Sequence, residues 1–374
     1  MNRPYFLFTN LLVPVNIYKE SMNHQFRGEE RIFAENRFYL PGKLPMEYLA
    51  RLISRYTQKD PRIVVSPGIG KDATVLSFSG PYLIAKTDPI TFATDEIGWY
   101  AVQVNANDVA SMGGTPRWFL ATLLLPEKKT TSAMVEEIFS QISGACQDLG
   151  VVLCGGHTEI TYGLDRPIVV GQMLGEVAPE KLVVPDRIQE GDEILLTKGI
   201  AIEGTALIAR EKQELKKVFG DEWILRCQKF LKSPGISVVR DASIAAQNRK
   251  VHAMHDPTEG GLATGLHELA QVANVGMMVE KEKIFIFPET DLLCQNLQLD
   301  PLGLIASGAL LIVTSPKDSS RIIEALQGEG IPAGRIGKIW AKEKGVKLLA
   351  GGQLQDLPVF LRDEIAKLFE GRGK

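Results

Sequence analysis

Four aspartates stand at strand ends or in turns beside glycines, where carboxylates from distant parts of a chain can converge. They are Asp72 after Gly70 and Lys71, Asp88 in KTDP, Asp108 in NANDVA and Asp256 in HDPTEGGL. Magnesium takes oxygen ligands and usually keeps substrate phosphates in its shell. Several aspartates beside glycine turns therefore favour a magnesium-nucleotide site. Taken singly, Asp88 and Asp256 are also ordinary turn formers, since each precedes a proline.

The glycine motifs around these aspartates are open to two interpretations. GIGKDA (68–73) lacks the GxxxxGK[ST] spacing of a P-loop, and by itself it fits a tight turn with a solvated lysine. The pairs 113–114 and 155–156 fit a helix stop and a turn, but glycines also let backbone N–H groups approach a phosphate. His157 follows the second pair, and a lone histidine identifies neither a base nor a ligand.

Cysteine and histidine chemistry has little support. The four cysteines contain no CxxC pair, which argues against both a disulfide framework and a structural zinc site. No GxSxG elbow occurs, and only Cys154 lies near a histidine in sequence. His252 and His255 are three apart on a predicted strand and would point to opposite faces.

Composition limits the classes of partner. The 374 residues suffice for two domains, and 42 basic against 45 acidic residues leave a net charge of -3. This balance disfavours nucleic-acid binding. No run reaches the roughly 20 apolar residues that a membrane helix needs. We therefore expect a soluble, cytoplasmic chain in a reducing compartment.

The elements that position these motifs mix helices and strands without strict alternation, which favours an α+β fold. In the first half, helices are predicted within 41–58, 96–114 and 130–150, and Gly150 stands at a C-cap position. Strands are predicted at 62–66, 73–78, 82–88, 118–126, 151–154 and 167–177, with a glycine turn at GGHTE (155–159). In the second half, helices are predicted near 201–212, 221–231, 237–249, 259–273 and 318–328, and strands near 192–197, 251–255, 308–314 and 334–340.

Six ordered motifs carry a family resemblance: GIGKDA, KTDP, VNANDVASMGGTPRWFL, CGGHTE, GDEILLTKGI and MHDPTEGGL. Together they resemble the superfamily of aminoimidazole ribonucleotide (AIR) synthase, selenophosphate synthetase, thiamine-monophosphate kinase and the hydrogenase-maturation protein HypE. The resemblance spans about residues 42–350. It is strongest to AIR synthase-related, HypE-like proteins, which carry a similar GKLP sequence before the first helix.

The resemblance implies a two-domain PurM-like α+β fold. Residues 41–178 would form an ATP-binding N-terminal domain, which builds an intersubunit β-barrel in a homodimer, and residues 187–350 a C-terminal α+β domain. Residues 1–40 would be an N-terminal extension, expected to be poorly ordered, and residues 351–374 a C-terminal helix and tail.

The resemblance also implies ATP and Mg²⁺ as cofactors and assigns roles to individual residues. The implied metal ligands are Asp72, Asp88, Asp108 and Asp256. The implied nucleotide or substrate contacts are Gly70, Lys71, Thr87, Asn105, Asn107, Gly155, Gly156, Thr158 and Glu159. The implied catalytic residues are Lys71, His157 and Glu259.

Departures from the family pattern shape the predicted function. HypE proteins carry their substrate group on a C-terminal cysteine, whereas this chain ends FEGRGK and its last cysteine is Cys294. Selenophosphate synthetase uses a thiol or selenol where LPGKLP offers Lys43, and Glu259 stands where HypE proteins commonly carry Arg. We therefore expect neither dehydration of a carbamoyl group on the chain's own tail nor selenophosphate synthesis.

The expected activity is ATP- and Mg²⁺-dependent phosphoryl transfer that activates an amide- or carbonyl-type oxygen on a small molecule or a protein. Two alternatives stay open. One is an ATP-binding maturation partner without catalysis, and the other is a HypE-type hydrogenase maturation factor that lacks the C-terminal cysteine and acts on another protein. The expected partners are a small-molecule substrate or a maturation protein, together with a second copy of the chain.

Overall fold

The computed structural model describes residues 46–47, 50, 61–66, 68–71, 73–77, 79–91, 93, 95–247 and 250–368. The predicted extension over 1–40, most of the predicted helix within 41–58, and Asp72 lie outside these residues. The elements below belong to one compact unit, Pro41–Lys374. Within the described part of the chain, each helix is too short or too polar to span a bilayer.

The first half of the described chain folds into a six-stranded sheet. Its strands are β1 (Ile63–Val65), β2 (Thr74–Leu76), β3 (Tyr82–Ile90), β4 (Thr115–Pro126), β5 (Val152–Thr161) and β6 (Ile168–Val177). The strand order is β1-β2-β3-β6-β4-β5, which leaves β5 at one edge. Two helices, α1 (Ile97–Ser111) and α2 (Ser132–Leu149), pack against this sheet and against each other.

The caps of α2 explain why this helix was easy to predict. The Thr131 side chain accepts a hydrogen bond from the Met134 N–H, which satisfies one of the free donors of the first turn. At the other end Gly150 adopts the left-handed conformation at φ 65°, and its N–H donates to the carbonyls of Cys146 and Gln147. The predicted C-cap is confirmed.

The second half forms a seven-stranded sheet with seven helices in the described residues. The strands are β7 (Glu193–Thr197), β8 (Val251–His255), β9 (Gly276–Glu280), β10 (Leu311–Thr314), β11 (Ala333–Trp340), β12 (Val346–Ala350) and β13 (Gln353–Asp356). The helices of one turn or more are α3 (Ile202–Glu211), α4 (Lys216–Phe219), α5 (Asp221–Lys229), α6 (Val239–Ala246), α7 (Gly261–Ala273) and α8 (Pro288–Leu297). A seventh, α9 (Pro316–Gly328), follows β10, and the strand order is β13-β12-β9-β11-β7-β10-β8.

Helix α1 is the element that joins the two halves. All of its fifteen residues are buried, because it packs on β3 and β6 on one side and on α6 and β8 of the second sheet on the other. A helix buried all round is normally apolar all round. Here it carries polar side chains into the interior: Gln103, Asn105, Asn107, Asp108 and Ser111. These polar groups need partners or a ligand.

Three sequence predictions about the elements need correction or addition. The predicted glycine turn GGHTE is wrong, because β5 runs straight through it and pairs in parallel with β4. Strands β9, β12 and β13 and helix α8 were not predicted. The described part of the predicted C-terminal helix is a short 3₁₀ turn, Glu364–Leu368. Two mixed sheets with interspersed helices nevertheless confirm the α+β class.

Candidate active site

A lysine holds two of the predicted metal ligands together. The Lys86 Nζ lies 3.3 Å from the Asp88 Oδ2 and 3.2 Å from the Asp108 Oδ2. Lys86 and Asp88 are two residues apart on β3, so their side chains share one face of the sheet, and α1 places Asp108 over that face. An ammonium between two carboxylates occupies the kind of position that a divalent cation takes. The sequence predictions omitted Lys86, although its spacing from Asp88 gave the signal.

The third aspartate is reached through a serine. Ser111 lies three residues after Asp108 on α1, and its Oγ donates a 3.2 Å hydrogen bond to the Oδ1 of Asp256, which directly follows β8. Asp108, Ser111 and Asp256 thus form a line of buried polar side chains where α1 packs against the second half. Within the described ranges, however, no three His, Cys, Asp or Glu side chains form a ready-made metal cage.

Asn105 lies on the sheet beside this line. Its Nδ2 donates to the Asp88 carbonyl at 3.3 Å and to the Ala101 carbonyl at 2.8 Å, while its buried Oδ1 has no hydrogen-bond partner among the described residues. A Cβ on Gly171 would come within 2.4 Å of that Nδ2, so the amide fits only above a glycine. The Thr87 Oγ1 donates to the Gly171 carbonyl at 2.8 Å. The orphaned Oδ1 is an acceptor that a ligand can satisfy.

Asn107 is hydrogen-bonded to the backbone of the second half. Its Nδ2 donates to the Ile236 carbonyl, and its Oδ1 accepts from the Val238 N–H, both at 2.8 Å. The side chain therefore connects α1 to the segment before α6. Its contact with a nucleotide stays a prediction.

The residues predicted on GGHTE lie at the far edge of the first sheet. Asp88 pairs with Gly171 on β6, Gly171 with Ala121 on β4, and Ala121 with Gly156 on β5. Asp88 and Gly156 thus share one row of the sheet, three strand spacings or about 14 Å apart. A Cβ on Gly156 would lie 1.9 Å from the Ala121 carbonyl oxygen, which explains the glycine without any turn.

Strand β5 exposes nearly every residue, including the predicted contacts Thr158 and Glu159. The His157 side chain is 68% exposed, and its Nε2 lies 3.6 Å from the Glu159 Oε2. Within one chain, therefore, His157 and its neighbours do not meet the aspartates.

Lys71 and Gly70 also lie apart from the aspartates. The Lys71 Nζ is 3.6 Å from the Oδ1 of Asp186, on the segment that links the two sheets. Gly70 is left-handed at φ 67° and packs so closely on α7 that a Cβ would come 2.8 Å from the Glu268 carbonyl oxygen. The phosphate contact predicted for Lys71 stays a prediction.

A small cleft between the two halves brings Asp88 together with Glu259, and it adds two residues that sequence reasoning missed, Glu203 and Ser307. Burial raises the pKa of the Glu203 carboxyl to about 8. A hydrogen bond with the Ser307 side chain opposes this rise, and the negative charges of nearby carboxylates add to it. Glu203 occupies the first turn of α3, where an acidic residue is common, so its sequence gave no functional signal.

Two domain models identify the family. A model described as AIR synthase related protein, N-terminal domain, matches residues 70–177, and its C-terminal counterpart matches residues 189–348. Together they cover more than half of the chain. The chain belongs to the AIR synthase-related family of the AIR synthase (PurM) superfamily, and within it the chain is HypE-like.

Three relatives show the range of activities named in this family. A putative hydrogenase expression/formation protein of Methanocaldococcus jannaschii is 29% identical over 72% of this chain and 79% of its own. The carbamoyl dehydratase HypE of Cupriavidus necator is 28% identical over 70% and 74%. The thiamine-monophosphate kinase of Aquifex aeolicus is 25% identical over 70% and 88%. The prediction of an enzyme family is confirmed.

Solved structures confirm the two-domain PurM-like fold. A hydrogenase maturation protein HypE in complex with ATP matches with a TM-score of 0.65 at 24% identity, over 85% of this chain and 98% of that one. A HypE–HypF complex matches with a TM-score of 0.66 at 20% identity, over 78% and 94%. The predicted domain boundaries and the roles of single residues stay predictions.

Proposed function

We propose that the chain is an ATP- and Mg²⁺-dependent enzyme that activates an amide- or carbonyl-type oxygen, on a small molecule or a protein, by phosphoryl transfer. The observation that carries this proposal is the convergence of three aspartates. Asp88 and Asp108 both contact the Lys86 ammonium, and Ser111, one turn after Asp108 on α1, donates a hydrogen bond to Asp256. Relatives named as a carbamoyl dehydratase and a phosphate-transferring kinase support it, as does a structural neighbour with bound ATP.

The donor set fits magnesium in its chemistry. Asp88, Asp108 and Asp256, together with Asp72, would hold Mg²⁺ through carboxylate oxygens, which are its usual protein ligands. Bound Mg-ATP supplies the phosphoryl group. Lys86 neutralises the paired carboxylates and is placed to contact phosphate oxygens that share the metal. The free Oδ1 of Asn105 would accept a hydrogen bond from the nucleotide or its water shell.

The residues of β5 would complete the site across a homodimer. An exposed edge strand pairs readily with another strand, and this one leaves apolar side chains in solvent, among them Val152 and Ile160. In the proposed dimer, the Gly155 and Gly156 N–H groups would face phosphate, and His157, Thr158 and Glu159 would line the nucleotide of the neighbouring copy. Lys71 would add charge to the phosphates, and Glu259 would face the acceptor from the cleft.

The acceptor is proposed to be either a small molecule or a group carried by a maturation partner. One structural neighbour was solved as a HypE–HypF complex, which supports a protein partner for this chain as well.

The test is ADP formation from ATP with and without Mg²⁺. Asp108→Asn keeps the shape of the side chain but removes the charge, so we expect turnover to fall on the order of 100-fold or more. Asp356→Asn on the exposed strand β13 is the matched control and should leave turnover unchanged. Equal turnover in wild type and Asp108→Asn would overturn the assigned site. Tight ATP binding by calorimetry with no ADP after hours would instead favour the non-catalytic alternative.

A further inference from the structure

A cavity of about 730 Å³ lies where the segment that links the two sheets meets the start of β8. Small-ligand sites usually enclose about 300–1,000 Å³, so the cavity has the volume of such a site. Its apolar walls come from Val183, Ala246 and Val251. Its polar lining consists of Glu180, Lys181, Arg187, Gln189, Lys250 and His252. The cavity shares no residue with the site proposed for Mg-ATP.

The backbone around this cavity is fixed by contacts with neighbouring elements. The Val183 N–H donates a 3.1 Å hydrogen bond to the backbone at the C-terminal end of α1. A Cβ on Gly113 would come 2.4 Å from the Lys181 carbonyl oxygen, so the linking segment lies directly on that end of the helix. On the other side, the Lys250 carbonyl accepts a 2.8 Å hydrogen bond from the Thr314 Oγ1. The charged side chains therefore project from a backbone that is already in place.

Three cations line the cavity without a counterion. Lys181, Arg187 and Lys250 are exposed, and in the part of the chain that the structure describes their side chains form no ion pair. Glu180 is the one carboxylate among the described lining residues. Three positive charges and one negative charge leave a charge of about +2 in a chain whose net charge is -3. A concave surface with this local charge attracts an anion.

His252 adds a polar group whose orientation is set from behind. Its Nδ1 lies 2.7 Å from the Oδ2 of Asp192, a carboxylate that is only 1% exposed. The same Oδ2 accepts a 3.0 Å hydrogen bond from the Gln189 N–H. This pairing holds the imidazole ring, and the Nε2, which has no partner among the described residues, is available to a ligand in the cavity.

We propose that this cavity is a binding site for a small organic dianion, and that a phosphate monoester is the class it takes. The Arg187 guanidinium can donate two parallel hydrogen bonds to one phosphate group, and the two ammonium groups neutralise the remaining charge. The organic part of the ligand packs on Val183 and Val251. His252 precedes Asp256 by four residues along β8, a distance of about 13 Å, so this site is separate from the proposed metal site.

The first test measures the binding of phenyl phosphate, a phosphate monoester with an apolar group, to the full chain by calorimetry without nucleotide or Mg²⁺. We expect one saturable site. Inorganic phosphate lacks the apolar group and phenol lacks the charge, so each should bind at least about tenfold more weakly. Equal binding of phenol and phenyl phosphate, or the absence of saturable binding, would overturn the proposal.

Substitutions locate the binding. Arg187→Gln should weaken phenyl phosphate at least about fivefold, and its combination with Lys250→Gln about 25-fold. Lys281→Gln, on the exposed 3₁₀ turn Lys281–Lys283, is the matched control and should leave the affinity unchanged. All three side chains are exposed, so the thermal midpoints should equal that of the wild type. Unchanged affinity in the double variant would count against the cavity as the site.

A further arm separates this site from the one proposed for Mg-ATP. Asp108→Asn should bind phenyl phosphate with wild-type affinity, and a non-hydrolysable ATP analogue with Mg²⁺ should not displace phenyl phosphate from the wild type. Displacement, or a loss of affinity in Asp108→Asn, would place the phosphate monoester in the nucleotide site and overturn the proposal. The dependence on Arg187 is measured without nucleotide, so it stands whether or not the chain hydrolyses ATP.

Discussion

Helix α1 and strand β5 carry most of the predicted site residues, and they do so in opposite ways. On α1 all fifteen residues are buried, and Asp108, Asn107 and Ser111 each contact a group from another element. On β5 almost all residues are exposed, and His157 contacts only its strand neighbour Glu159. The part of the predicted site on α1 is thus held by contacts with the second half of the same chain. The part on β5 is a regular edge strand whose residues are exposed to solvent.

The largest expected effect tests whether β5 is rigid without a partner. Gly156→Ala would place a methyl group against the Ala121 carbonyl at a backbone φ of 146°, so we expect a loss of about 3–5 kcal/mol in the free energy of unfolding. Denaturant titration measures it. Gly155→Ala is the matched control: its φ is 140°, but nothing lies within 4 Å of the added Cβ, and the loss should be smaller. Equal small losses would show that β5 yields easily.

The next effect tests the hydrogen bonds that Asn107 makes between α1 and the second half. Asn107→Ala would leave the Ile236 carbonyl and the Val238 N–H without their partner, so we expect a loss of about 2–4 kcal/mol in the free energy of unfolding. The affinity for ATP, measured by calorimetry, should stay within about twofold of wild type. A variant that keeps its stability but loses ATP binding would instead support the predicted nucleotide contact.

A third effect concerns the exposed face of β5. Ile160 is 61% exposed, and Ile160→Glu would put a charge into the proposed dimer interface, so we expect the dimer dissociation constant to rise on the order of 100-fold. Sedimentation at several protein concentrations measures it. The unfolding free energy of the monomer should barely change. A wild-type chain that is monomeric at micromolar concentration would contradict the proposed dimer directly.

The last prediction is a pH dependence of stability that comes from the buried Glu203 carboxyl. The pKa of Glu203 is about 8 in the folded chain against 4.5 in the unfolded one, so between these values the folded state holds one more proton. Stability from this group is complete below pH 4.5 and falls by about 1.4 kcal/mol per pH unit as the pH rises towards 8. Glu203→Gln should remove that slope, measured as the difference in unfolding free energy between pH 5.5 and 7.5. An unchanged slope would contradict the assignment.

Local patterns in the sequence predicted the elements whose causes are local. Helix α2 is bounded by its own Thr131 and Gly150, and both lie within one turn of the ends they set. GGHTE failed for the opposite reason. Gly156 is needed because the Ala121 carbonyl, on a neighbouring strand, leaves no room for a side chain. The GGHTE sequence looks like a turn, but the glycine is required by a tertiary contact with the neighbouring strand.

The same reasoning separates the site residues that could be predicted from those that could not. Asp88, Asp108 and Asp256 stand in motifs whose order resembles a known family. Glu203 and Ser307 have no such pattern, since both lie in the second half, about a hundred residues apart, and only the fold brings them together beside Asp88 of the first half. Lys86 lies between these cases, because its spacing from Asp88 was visible but its second contact, Asp108, was not.

The ammonium of Lys86 has a further consequence for the proposed metal site. Many metal sites consist of like charges that repel each other until the ion arrives, and such domains unfold when a chelator removes it. Here the chain supplies its own counterion to Asp88 and Asp108. We therefore expect folding to be independent of metal loading, and the native fold to persist in chelating buffer.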